Sequence, residues 1–122
     1  MPKKILIVED EKSMAHALEL KLVHNGFEVK TAANGEEAIS ILSQGKFDLI
    51  LLDLIMPKLD GFGVLAKLKE LELDIPVIIL SNLSQEDDER KARELGAVGF
   101  FIKSNTPISD IITRVKERLG EP

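Results

Sequence analysis

At 122 residues, 44% of them hydrophobic, the chain has room for one domain with a real core and little more. A net charge of −5 and the absence of tryptophan and tyrosine argue against a nucleic-acid surface built on basic patches or aromatic platforms. Cysteine is absent, which excludes disulfides, thiolate catalysis and Cys-ligated zinc, and no run approaches the roughly 20 apolar residues of a membrane span.

The first apolar run, Ile5-Leu6-Ile7-Val8, follows two lysines but stops after four residues at Glu9-Asp10. It is too short for a signal peptide, so a cytoplasmic location is the default expectation. It reads instead as a strand buried on both faces. Met14, Ala17, Leu18 and Leu22 then mark one face of a helix, and Gly26 follows its end. Phe27-Glu28-Val29-Lys30-Thr31 alternates as an edge strand does. Asn34-Gly35-Glu36-Glu37 has the capping chemistry that opens a second helix, with Gly45 beyond it. Leu49-Ile50-Leu51-Leu52 is a second continuous apolar run. A third helix is predicted over 61–71 with Val64, Leu65 and Leu68 inward, Asp60-Gly61 shaping or capping its start.

Val77-Ile78-Ile79-Leu80 is the fourth strand. Ser84-Gln85-Glu86-Asp87 opens a fourth helix whose acids suit the helix dipole, and Gly96 ends it. Val98-Gly99-Phe100-Phe101-Ile102 is the fifth strand, with Phe101 expected in the core. Thr106-Pro107 opens the last helix with proline at its first position, and Gly120 ends it. The count is (βα)5. Such alternation predicts an α/β, doubly wound parallel sheet, and one common strand order for it is 2-1-3-4-5, as in flavodoxin-like folds.

In such sheets ligands bind beyond the carboxyl ends of the strands, where the order reverses. Glu9 and Asp10 stand there after the first strand, Asp53 after the third, Ser81 after the fourth and Lys103 after the fifth. Any one of them alone is ordinarily a turn, cap or surface residue. Together they define a crevice. Three converging carboxylates call for a divalent cation, and an oxygen-only donor set suits Mg2+ or Mn2+. Lys103 and Ser81 could pair with phosphoryl oxygens, and Asp53, nearest the centre of the sheet, is the natural nucleophile for an acyl phosphate. His16 and His24 read as ordinary partly exposed histidines.

Over essentially its whole length the sequence resembles the receiver domain of two-component response regulators. The resemblance rests on Asp53-Leu54-Ile55-Met56-Pro57-Lys58-Leu59-Asp60-Gly61, on Val8-Glu9-Asp10-Glu11, on Leu80-Ser81, and on Gly96-Ala97 with Phe100 through Lys103. It implies that Asp53 is the phosphoacceptor and that Asp10 ligates Mg2+ directly. Glu9 would act partly through water, and the Ile55 backbone carbonyl would add a ligand. It further implies that Ser81 and Lys103 bind the phosphoryl group and that Phe100 is the rotating aromatic switch, a plain core aromatic being nearly as good a reading. The implied partners are a histidine kinase or phosphotransfer protein and a downstream protein that reads the surface of the fourth helix, fifth strand and fifth helix. Direct contact with nucleic acid is not expected, and the chain would be a monomer or a phosphorylation-dependent dimer. It would be a switch and not an enzyme.

Residues 1–122 read as one receiver unit with no output module. A stand-alone receiver and a piece of a longer regulator both fit that length. Two departures stand out. The family's usual Lys-Pro, commonly cis, is Lys103-Ser104 here, which predicts a trans bond or a reshaped loop. Asn82 follows Ser81 where a small apolar residue is usual, and is expected to narrow access to Asp53. A Mg-dependent phosphohydrolase would want a second Asp where Ile55 stands, and a cap domain. A flavodoxin-like cofactor binder would want a hydroxyl- or glycine-rich loop where Glu9-Asp10-Glu11 stands.

Overall fold

The computed structural model describes residues 2–82 and 86–120, with only the backbone of Glu86. The elements run β1 (Lys4–Val8), α1 (Lys12–His24), β2 (Glu28–Ala32), α2 (Gly35–Leu42), β3 (Leu49–Leu52), α3 (Gly61–Glu70), β4 (Val77–Ser81), α4 (Glu86–Glu94), β5 (Gly99–Ile102), a 3-10 turn (Lys103–Asn105) and α5 (Ile108–Leu119). The five strands are parallel, in the order β2-β1-β3-β4-β5. The α/β, doubly wound class and strand order expected from the alternation both hold.

The continuous apolar runs follow from this order. In a strand, alternate residues face opposite ways, so a sheet covered on both sides needs apolar residues at every position. Leu6, Val8, Ile50, Leu52, Val77 and Ile79 pack one way, against α2, α3 and Ala92 of α4. Ile5, Ile7, Leu49, Leu51, Ile78 and Leu80 pack the other way, against α1 and α5. β1, β3 and β4 are the interior strands. β2, at the edge, is largely exposed and keeps its polar alternation.

Local chemistry sets the helix ends. Asn34 Oδ1 accepts from the Glu37 N–H at 2.9 Å and caps α2. Asp60 Oδ1 accepts from the Gly63 N–H at 2.8 Å and caps α3. Gly120 closes α5 in the left-handed region at φ 71. Several expected boundaries move. β2 starts at Glu28 and β5 at Gly99, each one residue late. On α1 it is Ala15 that is buried, while Ala17 is half-buried. Pro107 is not the first helical residue of α5. It is the N-cap, with φ −61 and ψ 147. Its ring fixes φ at a value that helix and extended chain share, so ψ decides the position, and the Thr106 hydroxyl ties the preceding chain back to the Ile102 carbonyl. The expected start of α4 at Ser84-Gln85 lies outside the described residues. Among the described residues, no helix is long and apolar enough to cross a membrane.

Candidate functional site

The sheet brings the carboxylates together by register. Val8 of β1 lies opposite Leu52 of β3, so the next residues, Glu9 and Asp53, leave the sheet side by side. Their backbones continue the ladder: the Asp53 N–H donates to the Val8 carbonyl and the Glu9 N–H to the Ala32 carbonyl, both at 3.0 Å. Glu9 and Asp53 are each 4% exposed, whereas Asp10 is exposed. Carboxylate oxygens of Glu9, Asp10 and Asp53 lie within 4.8 Å of one another, close enough to hold one divalent cation among them. The donor set is all oxygen, which fits a hard cation and not zinc.

Lys103 reaches this cluster from the other side of the sheet. Two strand spacings, about 10 Å, separate β3 from β5. Only a long side chain covers that gap. The Lys103 Nζ lies 2.6 Å from Glu9 Oε1 and 3.2 Å from Asp53 Oδ2, with the side chain 12% exposed. One ammonium is thus shared by two buried carboxylates. Burial, the larger influence, pushes the Glu9 carboxyl above its ordinary range, and the Lys103 hydrogen bond only partly offsets that. Burial lowers the Lys103 ammonium, but the Glu9 hydrogen bond and the Asp53 charge outweigh it, and the net direction is up. Lys103 therefore stays charged, one ammonium among the carboxyl groups of Glu9, Asp10 and Asp53.

Ser81 ends β4, opposite Ile102 of β5, and is fully buried. The sequence placed it just past the strand; it is the strand's last residue. The Ile55 N–H donates to Asp53 Oδ1 at 3.3 Å and turns the chain after the acid. The loop from Asp53 to Asp60 is pinned by two glycines. A Cβ at Gly61 would collide with the Asp53 carbonyl, and one at Gly35 with the Leu59 carbonyl, to which the Gly35 N–H donates at 3.1 Å. Neither glycine was singled out for this from sequence, because the close approach exists only in three dimensions.

Phe100 and Phe101 take opposite faces of β5, Phe100 toward the α2–α3–α4 layer and Phe101 toward α1 and α5. Both are half-buried. Among the described residues every peptide bond is trans, and Lys103–Asn105 form a 3-10 turn, as the missing proline predicts. Asn82 is exposed, and its Oδ1 accepts from the Ser104 N–H at 3.1 Å. Its side chain is engaged with the β5–α5 loop, a contact that sequence reasoning missed. His16 and His24 are exposed on α1.

A buried aspartate thus stands beside two acids and a lysine at the carboxyl ends of a 2-1-3-4-5 sheet. The profile of the response regulator receiver domain matches residues 5–116, and the chain belongs to that family, the receivers of two-component systems. It is similar to the "Probable transcriptional regulator ycf27" of Cyanophora paradoxa, at 43% identity over 96% of this chain and 48% of that protein. It is 40% identical to the alkaline phosphatase synthesis transcriptional regulatory protein PhoP of Bacillus subtilis, over 95% of this chain and 48% of that one. The chain thus spans about half the length of these curated relatives. Among solved structures, the receiver domain of the Francisella response regulator 1452 superposes with a TM-score of 0.91 at 30% identity, covering 97% of both chains. A CheX–CheY–BeF3–Mg2+ complex from Borrelia burgdorferi gives 0.90 at 30% identity over 98% of this chain and 90% of that one.

Proposed function

We propose that the chain is a Mg2+-dependent phosphoryl switch in which Asp53 accepts a phosphoryl group from a histidine kinase or histidine phosphotransfer protein. The observation that carries this reading is the buried Asp53 carboxylate lying beside Glu9 and Asp10 and paired with Lys103. An Asp53 oxygen attacks phosphorus in line, the phosphorus–nitrogen bond of the donor breaks, and the imidazole leaves with a proton from solvent. Glu9, Asp10, Asp53 and the Ile55 backbone carbonyl would hold Mg2+, which would supply charge neutralisation for the transferring group. Lys103 and Ser81 hold phosphoryl oxygens, so Lys103 must exchange part of its pairing with Asp53 for the new dianion.

The added charge draws Ser81 inward, Phe100 follows, and α4, β5 and α5 present an altered face to a downstream protein. The chain acts in the cytoplasm as a phosphoacceptor with at most slow self-dephosphorylation, and not as a turnover enzyme. It is a monomer or dimerises on phosphorylation. A relative captured with BeF3 and Mg2+ supports the choice of chemistry.

Intact-mass spectrometry after incubation with acetyl phosphate and Mg2+ tests the reading. Addition of about 80 Da, one phosphoryl group, is expected for the parent and not for Asp53→Ala. An adduct formed equally by both proteins would move the site elsewhere.

A further inference from the structure

The β4–β5 ladder ends in an unusual way. Val98 N–H donates to the Val77 carbonyl at 2.8 Å, and the parallel register continues through Ser81 opposite Ile102. Donors in such a ladder come at every second residue, so the next after Ile102 is Ser104. Its N–H is met by a side chain, Asn82 Oδ1, at 3.1 Å. The contact depends on two residues at once. A proline at 104 would have no N–H to give, and an apolar residue at 82 would have no oxygen to receive it. The residue between ladder and contact is Lys103.

We infer that the Asn82 carboxamide, by holding the Ser104 N–H, is the positioning device that keeps Lys103 on Glu9 and Asp53. The lysine side chain has four flexible bonds and must span two strands, so its anchor point has to be fixed for the ammonium to stay at 2.6 and 3.2 Å from its partners. That anchor sits where β5 ends and the 3-10 turn that Lys103 opens begins. β5 is half-buried over its last three residues and provides a soft hold. The turn is tied to the sheet by the Asn82 bond, and Thr106 Oγ1 secures its far end to the Ile102 carbonyl at 2.9 Å. The same bond couples the residue after Ser81 to the residue after Lys103. The two groups proposed to grip the phosphoryl oxygens are thereby joined into one unit. Asn82 touches no reacting atom, so its part is positioning.

The inference rests on the phosphoacceptor reading, and the test separates the two. Parent, Asn82→Ala and Ser104→Pro are compared by competitive reductive methylation of lysines read by peptide mass spectrometry. In the parent, Lys103 is expected to label far more slowly than Lys67, whose side chain is 42% exposed against 12% for Lys103. In both variants Lys103 should label about fivefold faster, the factor that one hydrogen bond of ordinary strength controls, with Lys67 unchanged. The second measurement is the rate of adduct formation from acetyl phosphate with and without Lys103→Ala. Asn82→Ala should slow the reaction about fivefold alone and add nothing in the Lys103→Ala background, a non-additivity that general loosening would not produce. Unchanged Lys103 labelling in both variants, or an equal slowing with and without Lys103, overturns the inference. A parent that gains no adduct sinks the phosphoacceptor reading, and the labelling result alone then decides the positioning role.

Discussion

The two halves of the site are held in different ways. Glu9 and Asp53 leave β1 and β3, interior strands whose residues from Ile5 to Val8 and from Leu49 to Leu52 are at most 1% exposed. Ser81 ends β4, which is equally buried, but Lys103 follows β5 at the edge of the sheet. There β5 is half-buried after Gly99, α4 buries only Ala92 among its described side chains, and Lys103 sits in a 3-10 turn. The helix on that side carries a run of exposed ion pairs, Arg90 with Asp87 and Glu94, and Arg93 with Glu89, which add little hold. The side that must present a carboxylate in fixed geometry is packed like a core. The side that must respond to a new charge is packed lightly, which is where low-cost motion resides.

That contrast can be broken by substitution. Leu51→Ala, in the middle of β3, should lower stability by about 4 kcal/mol, read as a shift in the denaturant midpoint; Phe101→Ala should cost about 2 kcal/mol because its ring is only half-buried. Equal losses would mean that the two halves are packed alike. Lys103→Ala should slow acetyl phosphate-driven adduct formation about a hundredfold, the usual effect of removing one preorganised charge-stabilising group. Gly61→Ala forces a methyl onto the Asp53 carbonyl and should cost about 2 kcal/mol in thermal unfolding while slowing phosphorylation, since the displaced carbonyl belongs to the acceptor itself.

The pH dependence sharpens the picture further. The Glu9 carboxyl sits above its ordinary range, so the folded state holds its proton to higher pH than the unfolded chain does. The metal-free protein therefore loses Glu9's share of stability as pH rises from the ordinary glutamate range through the raised value, and Glu9→Gln should flatten that slope. Mg2+ affinity, followed by titration calorimetry, should begin to fall on acidification above the pH expected of an ordinary glutamate. At the small end, Arg90→Ala on the α4 surface should change stability by about 0.5 kcal/mol or less, as exposed ion pairs do.

How much of this the sequence carried depends on range. Strand identity, the 2-1-3-4-5 order and the positions of Glu9, Asp10, Asp53, Ser81 and Lys103 were readable, because apolar runs and strand ends are local features and the ligand-site rule is general. The caps at Asn34 and Asp60 were readable for the same reason. Ala15 replaced Ala17 in the α1 core because a helix face of this breadth does not fix rotation to one residue. Pro107 stands one place outside α5 because its ring sets φ and leaves ψ to the surroundings. The Lys103 pairing with Glu9, the Gly35 close approach and the Asn82–Ser104 bond join segments far apart in sequence, and the Gly61 approach to Asp53 closes a loop. No periodicity encodes them.

The pair Phe100-Phe101 has one further consequence. Most strands find their alignment by sorting large apolar residues to one side or the other, and a slip of one residue exposes the error. Two identical rings in succession remove that check, since sliding β5 by one position would exchange one phenylalanine for the other. Gly99, against which Ile78 leaves little room for a larger residue, and Lys103, whose charge finds partners in only one alignment, then act as the index marks. The lysine that serves the chemistry would also be the residue that tells the last strand where to stop.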